Sequence, residues 1–189
     1  MTTGGIELVR VGEDILSALV TLATEDARPN EVTPPLSPGD EWTPERAEWL
    51  RSFHRDRRGG LLGAAGEATW AIVLDGRVVG AARLKQTERL GCLETGVWVG
   101  RSIRGRGVGR HAMAALIQEA ASAGADELCA DTTQDNSGSL AVLRQFGFQL
   151  SELDAAQPVP PGRAGGHAIR ACLPLSSASG DAARNLGSP

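Results

Sequence analysis

The sequence predicts one mixed α/β or α+β domain, on three observations. Short apolar runs that read as strands alternate with helical segments; Asp75-Gly76 joins two such runs as a hairpin turn; and a Gly/Arg-rich loop links a strand to an amphipathic helix. The 189 residues are one domain's worth and bury roughly 70% of the unfolded surface without needing a metal or disulfide staple. The expected boundaries are 1–175 for the domain and 176–189 for a small, polar, disordered tail.

Ile6 to Val11 reads as a short strand, and Glu13 to Thr24 as a helix with Ile15, Leu19 and Leu22 on one face. Arg28 to Pro44 holds Pro29, Pro34, Pro35, Pro38, Gly39 and Pro44, so an irregular surface loop is expected. Thr43 then caps a helix with Pro44 in its first turn, which carries Trp49, Leu50 and Phe53 and ends near Arg58. Ala68 to Leu74 and Arg77 to Leu84 form the hairpin, and Cys92 to Val99 is the next strand. After the loop Arg104 to Gly109, Met113, Leu116, Ile117 and Ala120 repeat at helical spacing. Glu127 to Thr133 reads as a strand, Ser137 to Phe146 as a helix, and Phe148 to Leu153 as a strand; a flexible stretch, Gln157 to Gly166, precedes a last strand from His167 to Leu175.

No apolar run approaches the roughly 20 residues of a membrane span. The start, Met1 to Glu7, lacks a basic and an apolar region, so a cytoplasmic location is expected. Cys92, Cys129 and Cys172 are odd in number and lack metal-ligand spacing, which predicts reduced structural thiols and neither a disulfide nor a zinc site. The net charge of -4 disfavours nucleic acid as a partner. Residues 1 to 50 carry ten acids against three arginines, a net of -7, which suits a cationic partner there.

Chemistry concentrates in the loop Arg104-Gly105-Arg106-Gly107-Val108-Gly109-Arg110. Between a strand and a helix start, unpaired backbone N–H groups and the positive helix end converge, glycines allow close approach, and arginines add charge-assisted bonds. Such a loop holds a phosphate or diphosphate; a solvated basic helix start is the alternative. It matches neither the dinucleotide fingerprint nor the P-loop. Arg104-x-x-Gly107-x-Gly109 after a strand resembles the acetyl-CoA signature of the GNAT family of N-acetyltransferases, and Asn136-x-x-Ser139, Leu143 and Gly147-Phe148 follow in that family's order.

The resemblance implies a central mixed, mostly antiparallel sheet flanked by helices, and acetyl-CoA as co-substrate with no metal. The coenzyme's diphosphate would lie on the N–H groups of Arg106 to Arg110. Its pantetheine arm would run along Val97, Trp98 and Val99 as an added strand does. Asn136 would bond near the thiol end, cap the following helix, or do both.

Acetyl transfer needs a neutral amine, and deprotonating an alkylammonium at pH 7 costs about 4.6 kcal/mol. Glu94, in Leu93-Glu94-Thr95-Gly96-Val97-Trp98, resembles the E-x-G-x-W strand of the ribosomal-protein N-terminal acetyltransferases and is the candidate base. A carboxylate paired with Arg83 or Arg89 is the competing role. Many GNAT enzymes protonate the leaving thiolate with a tyrosine where this chain has Leu143, and the chain has no tyrosine. Ser139 could donate to the sulfur instead, or serve only the helix's first turn.

The expected acceptor side is the segment 26 to 58, with Glu31, Asp40, Glu41, Trp42, Trp49 and His54 as candidates, since acids beside aromatic rings suit a cationic amine. The primary expectation is a small-molecule amine, an aminoglycoside-type antibiotic included. A ribosomal-protein-like N-terminus and a non-catalytic acyl-CoA sensor are the alternatives, and an edge strand near the C-terminus makes a homodimer reasonable.

Overall fold

The computed structural model describes residues 5–36, 38–153 and 167–175. Both the predicted tail and the stretch Gln157 to Gly166 lie outside the described residues. Seven strands form one sheet: β1 (Ile6–Arg10), β2 (Glu67–Leu74), β3 (Arg77–Gln86), β4 (Cys92–Val99), β5 (Glu127–Thr133), β6 (Gln149–Glu152) and β7 (Ala168–Pro174), in the order β1-β2-β3-β4-β5-β7-β6. Every neighbouring pair is antiparallel except β4 and β5. Asp75 and Gly76 both sit in the left-handed region, at φ 51° and 75°, as a tight hairpin turn requires.

The helices are α1 (Glu13–Asp26), the single turn α2 (Pro29–Val32), α3 (Pro44–Asp56), α4 (Val108–Ser122) and α5 (Ser137–Gln145). Alternation along the strands divides the core in two. On one face Val108, Ala112 and Leu116 of α4 and Leu143 of α5 pack with Leu93, Leu128, Ala130 and Ala171. On the other, Leu16, Leu19 and Val20 of α1 and Leu50 of α3 pack with Ala71, Val73 and Ala81. Neither cluster takes in Cys92, Glu127, Cys129, Arg170 or Cys172, which line an open pocket on β4, β5 and β7 instead.

Three expectations change. The buried stripe of α1 is Leu16, Leu19, Val20 and Ala23, with Ile15 and Leu22 at its border, because the sheet is approached one residue round from the assumed face. The proline-rich segment is not wholly irregular: besides α2, it wraps the fully buried Arg46, which donates to Asn30 Oδ1 at 2.8 Å and to the Gly39 carbonyl at 3.1 Å. The cysteines are not three separate thiols, since β5 and β7 place Cys129 directly opposite Cys172 and the two are disulfide-bonded. Distance in sequence hid a pairing that the strand insertion of β7 beside β5 creates. Among the described residues no helix is long and apolar enough to cross a membrane.

Candidate active site

β4 and β5 are paired only from Cys92↔Glu127 to Thr95↔Ala130, whereas β4 stays paired with β3 as far as Val99. Beyond Thr95 the two parallel strands part, leaving Gly96 to Val99 with no ladder partner on the β5 side. Val97, Trp98 and Val99 thus present the free backbone edge that an extended amide-bearing ligand can join. Trp98 leans on the α1 side of the sheet, and Val97 and Val99 on the α4 side. In the parted stretch of β5, Thr132 is 1% exposed, and its Oγ1 is the one buried side-chain polar atom among the described residues with no partner.

The Gly/Arg-rich loop follows β4 through a 3-10 turn at Arg101–Ile103. Gly105 and Gly107 take φ of 79° and 80°, which a side-chain-bearing residue adopts at a cost, and Gly107 caps α4 without a side chain. The N–H groups of Val108, Gly109 and Arg110 therefore open α4 with no intrahelical acceptor. A Cβ at Gly109 would meet nothing within 4 Å, so a ligand can come close there. Arg106 and Arg110 are exposed, and a pocket of about 300 Å³ between Arg110, His111, Gln145 and Phe146 adjoins the helix start.

Arg104 is placed differently from expectation: its Nε donates to the Val99 carbonyl at 2.9 Å and its guanidinium pairs with Glu31 at 3.0 Å. It braces the loop. Asp26, at the end of α1, does the same for the preceding turn, accepting from Ser102 N–H at 3.0 Å and Oγ at 2.6 Å. The Ser102 hydroxyl and then its N–H hold the Asp26 carboxyl below its usual range.

Glu94 lies one residue before the strands part, opposite Cys129. Arg83 donates to it at 2.5 Å and to Glu67 at 2.9 Å, and Glu67, 3% exposed in its side chain, also takes Arg57 at 2.5 Å. Gly96 makes this possible: a Cβ there would stand 2.8 Å from Arg83 Nε, so the missing side chain is the room in which Arg83 crosses β4. Glu94 opens on a pocket of about 460 Å³ lined by Thr87, Glu88, Arg89, Glu127, Arg170 and the three cysteines.

At the start of α5, Asn136 caps the helix, its Oδ1 accepting the Ser139 N–H at 3.1 Å, so that end of the parted strands holds a fixed amide beside a half-buried serine. Leu143, at the position of the family's tyrosine, is core at 1% exposure.

None of the six expected acceptor residues lines the Glu94 pocket. His54 is 3% exposed, its Nδ1 meets Thr69 Oγ1 at 3.1 Å, and burial followed by the nearby Arg57 pushes its pKa down to about 4. It is a core histidine, placed there because α3 turns it onto β2. Trp42 donates its indole N–H to the Ala27 carbonyl at 2.9 Å, Trp49 stacks on Phe53 with centroids 5.1 Å apart, and Asp40 accepts the Asn30 N–H. Only Glu41 of the six is an exposed side chain with no structural partner among the described residues. Three of the ten acids of residues 1 to 50 are matched within the chain: Glu13 pairs with Arg55 and Arg58, Glu48 with Arg51 and Arg55, and Glu31 with Arg104. Sequence reasoning missed Glu67, Arg57 and Arg170; charge within or beside a strand run was the available signal for Glu67 and Arg170, and Arg57, which ends α3, carried none.

Residues 36–148 match the model of the acetyltransferase (GNAT) family. No curated relative matches in sequence. Among solved structures, the chain is similar to RimL, a ribosomal-protein alpha-N-acetyltransferase solved with coenzyme A, at 17% identity and TM-score 0.69 over 93% of this chain and 97% of that one. It is similar to an acetyltransferase of Acinetobacter baylyi at 18% identity and TM-score 0.66, over 93% and 94% of the two chains. A ribosomal-protein alanine N-acetyltransferase of Escherichia coli gives 17% identity and TM-score 0.60 over 97% of this chain and all of that one.

Proposed function

Because the chain belongs to the GNAT acetyltransferase family and uses acetyl-CoA as its co-substrate, we propose that it acetylates the α-amino group of a peptide or protein, with Glu94 as the base. The observation that carries this reading is the position of Glu94: at the point where β4 and β5 part, open to a pocket, and held by Arg83. Acetyl-CoA supplies an activated acyl thioester. The backbone donors of Val108 to Arg110 and the free edge of Gly96 to Val99 would bind and orient it, and the orphaned Thr132 hydroxyl fits a polar ligand in that cleft.

Within the chain's own chemistry, Glu94 takes a proton from the incoming ammonium, directly or through water, and Ser139 offers a hydroxyl near the leaving sulfur. An α-amine with pKa near 8 asks for only about 1.4 kcal/mol of deprotonation at pH 7, against about 4.6 kcal/mol for an alkylamine. A chain with no tyrosine acid suits an easily deprotonated amine. The ion pairs of Glu13, Glu31 and Glu48 engage three of the ten acids of residues 1 to 50 that a polycationic acceptor would use. The structural likeness to ribosomal-protein N-acetyltransferases supports the same choice.

The test is release of free thiol from acetyl-CoA with a panel of N-terminal peptides, aminoglycosides and no amine. Peptide-dependent release is expected, and Glu94→Gln should lower kcat by about 10²-fold or more, most below the amine's pKa. Release with aminoglycosides alone would replace the acceptor by a small cationic amine, and tight coenzyme binding with no amine-dependent release would make the chain a sensor.

A further inference from the structure

The sheet gathers all three cysteines of the chain onto one face beside Glu94. Cys92 opens β4 opposite Glu127 of β5, and Cys129, two residues further along β5, lies opposite Cys172 of β7. The Cys92 and Cys129 sulfurs are 3.7 Å apart, and Glu127 Oε2 lies 3.7 Å from the first and 3.2 Å from the second. Cys92 and Cys129 are 7% and 6% exposed. Two nearly buried sulfurs and a carboxylate oxygen thus converge on one point, with the third sulfur bonded to one of them.

Around a tetrahedral zinc, Zn–S of about 2.3 Å and Zn–O of about 2.0 Å put sulfurs about 3.8 Å apart and sulfur about 3.5 Å from oxygen. The observed separations fall within about 0.3 Å of these values. We propose that, once the Cys129–Cys172 bond is reduced, Cys92, Cys129, Cys172 and Glu127 bind one zinc-class ion, so that the site is metal-binding when reduced and closed when oxidised. A dithiol reductant gives two electrons and two protons to the disulfide and itself becomes a disulfide; the three thiols then release three protons as their sulfurs take the ion. Thiolate ligands favour zinc over calcium or magnesium. Three thiolates, a carboxylate and a divalent ion carry a net charge of -2, of which Arg89, paired with Glu127, offsets one unit, while Arg170 in the same pocket is held by Asp131. Arg89 is 63% exposed in its side chain, so it can stay on the carboxylate as an outer partner that orients it. The filled site would tie β4, β5 and β7 together two residues from Glu94.

The experiment uses the full chain, reduced with a phosphine and titrated with Zn²⁺ alone against a chelating dye, with Co²⁺ as the spectroscopic stand-in. The expected result is one ion per chain, a thiolate-to-cobalt charge-transfer band and a higher Tm, all lost after disulfide-forming oxidation. Cys92→Ser and Cys172→Ser should each weaken binding by about 100-fold, and Glu127→Gln by about 10-fold. A reduced chain that binds zinc no better than Cys92→Ser overturns the proposal. If the serine variants do not fold, alkylation of the reduced wild-type chain decides: zinc should protect all three thiols, and unprotected cysteines refute the site. The readout is metal binding alone, so it stands or falls apart from the transfer chemistry.

Discussion

The Gly/Arg-rich loop and the Glu94 pocket lie at opposite ends of the parting between β4 and β5, and they are built from different material. The loop is made of backbone: left-handed Gly105 and Gly107, then the free N–H groups of α4. The pocket's Glu94 is held from behind by side chains relayed through ion pairs, from Arg57 to Glu67 to Arg83 to Glu94. A backbone site depends on which residues can adopt a conformation, whereas a relayed site depends on every member keeping its charge and place. The two should therefore fail under different insults.

Acid is the largest of these. His54 touches Thr69 and lies beside Arg57 and Glu67, and its pKa in the folded chain, about 4, is below the ordinary 6.5. The unfolded chain takes the proton first, so this stabilisation is complete above about pH 6.5 and is lost as pH falls towards 4. Over that window the native state should lose about 3 kcal/mol, to order of magnitude. Urea unfolding of wild type and His54→Gln at pH 7.5 and 4.5 checks it: the variant should be flatter with pH, and parallel curves would show that His54 is not what acid attacks.

Gly107→Val comes next. The φ of 80° costs a β-branched residue about 1–3 kcal/mol, while a Cβ there would meet only His111 Nδ1 at 3.9 Å, so the penalty is conformational and not steric. KM for acetyl-CoA should rise by about 10- to 100-fold with little change in the pH dependence of kcat. Gly96→Ala should do the reverse. Its Cβ displaces Arg83, which holds the Glu94 carboxylate in place, so kcat should fall by about 10-fold with KM for the coenzyme nearly unchanged. A Gly96→Ala variant indistinguishable from wild type would show that Arg83 does not tune Glu94.

The same contrast governs what the sequence made legible. Backbone features are written locally: Asp75-Gly76, Gly107 and the Thr43 cap each demand a conformation within a few residues, and the hairpin, the loop and α3 follow. Relayed side chains are not local. Arg83 faces Gly96 only through the β3–β4 register, and Arg57 reaches Glu67 across a chain reversal. Cys129 meets Cys172 only because β7 inserts between β5 and β6, which periodicity cannot reveal. The placement of the acceptor candidates was illegible for the same reason: an acid or a tryptophan has the same letter whether it faces solvent or, like Trp42 and Glu31, serves a backbone carbonyl or an arginine.

The smallest expected effect tests whether the two regions are independent. Asp26 ties the end of α1 to the turn before the Gly/Arg-rich loop, and its carboxyl is held below the ordinary range by the Ser102 hydroxyl and N–H. Asp26→Asn keeps the shape but loses the charge, so KM for acetyl-CoA should rise about threefold while kcat stays put. Combined with Gly96→Ala, the effects on kcat/KM should multiply, because the two substitutions share no partner; departures above about 0.5 kcal/mol would mean that the backbone site and the relayed site move together. Coupling of that size would place the link in β4 itself, the one element that carries Glu94 and Gly96 and leads directly into the turn that Asp26 holds.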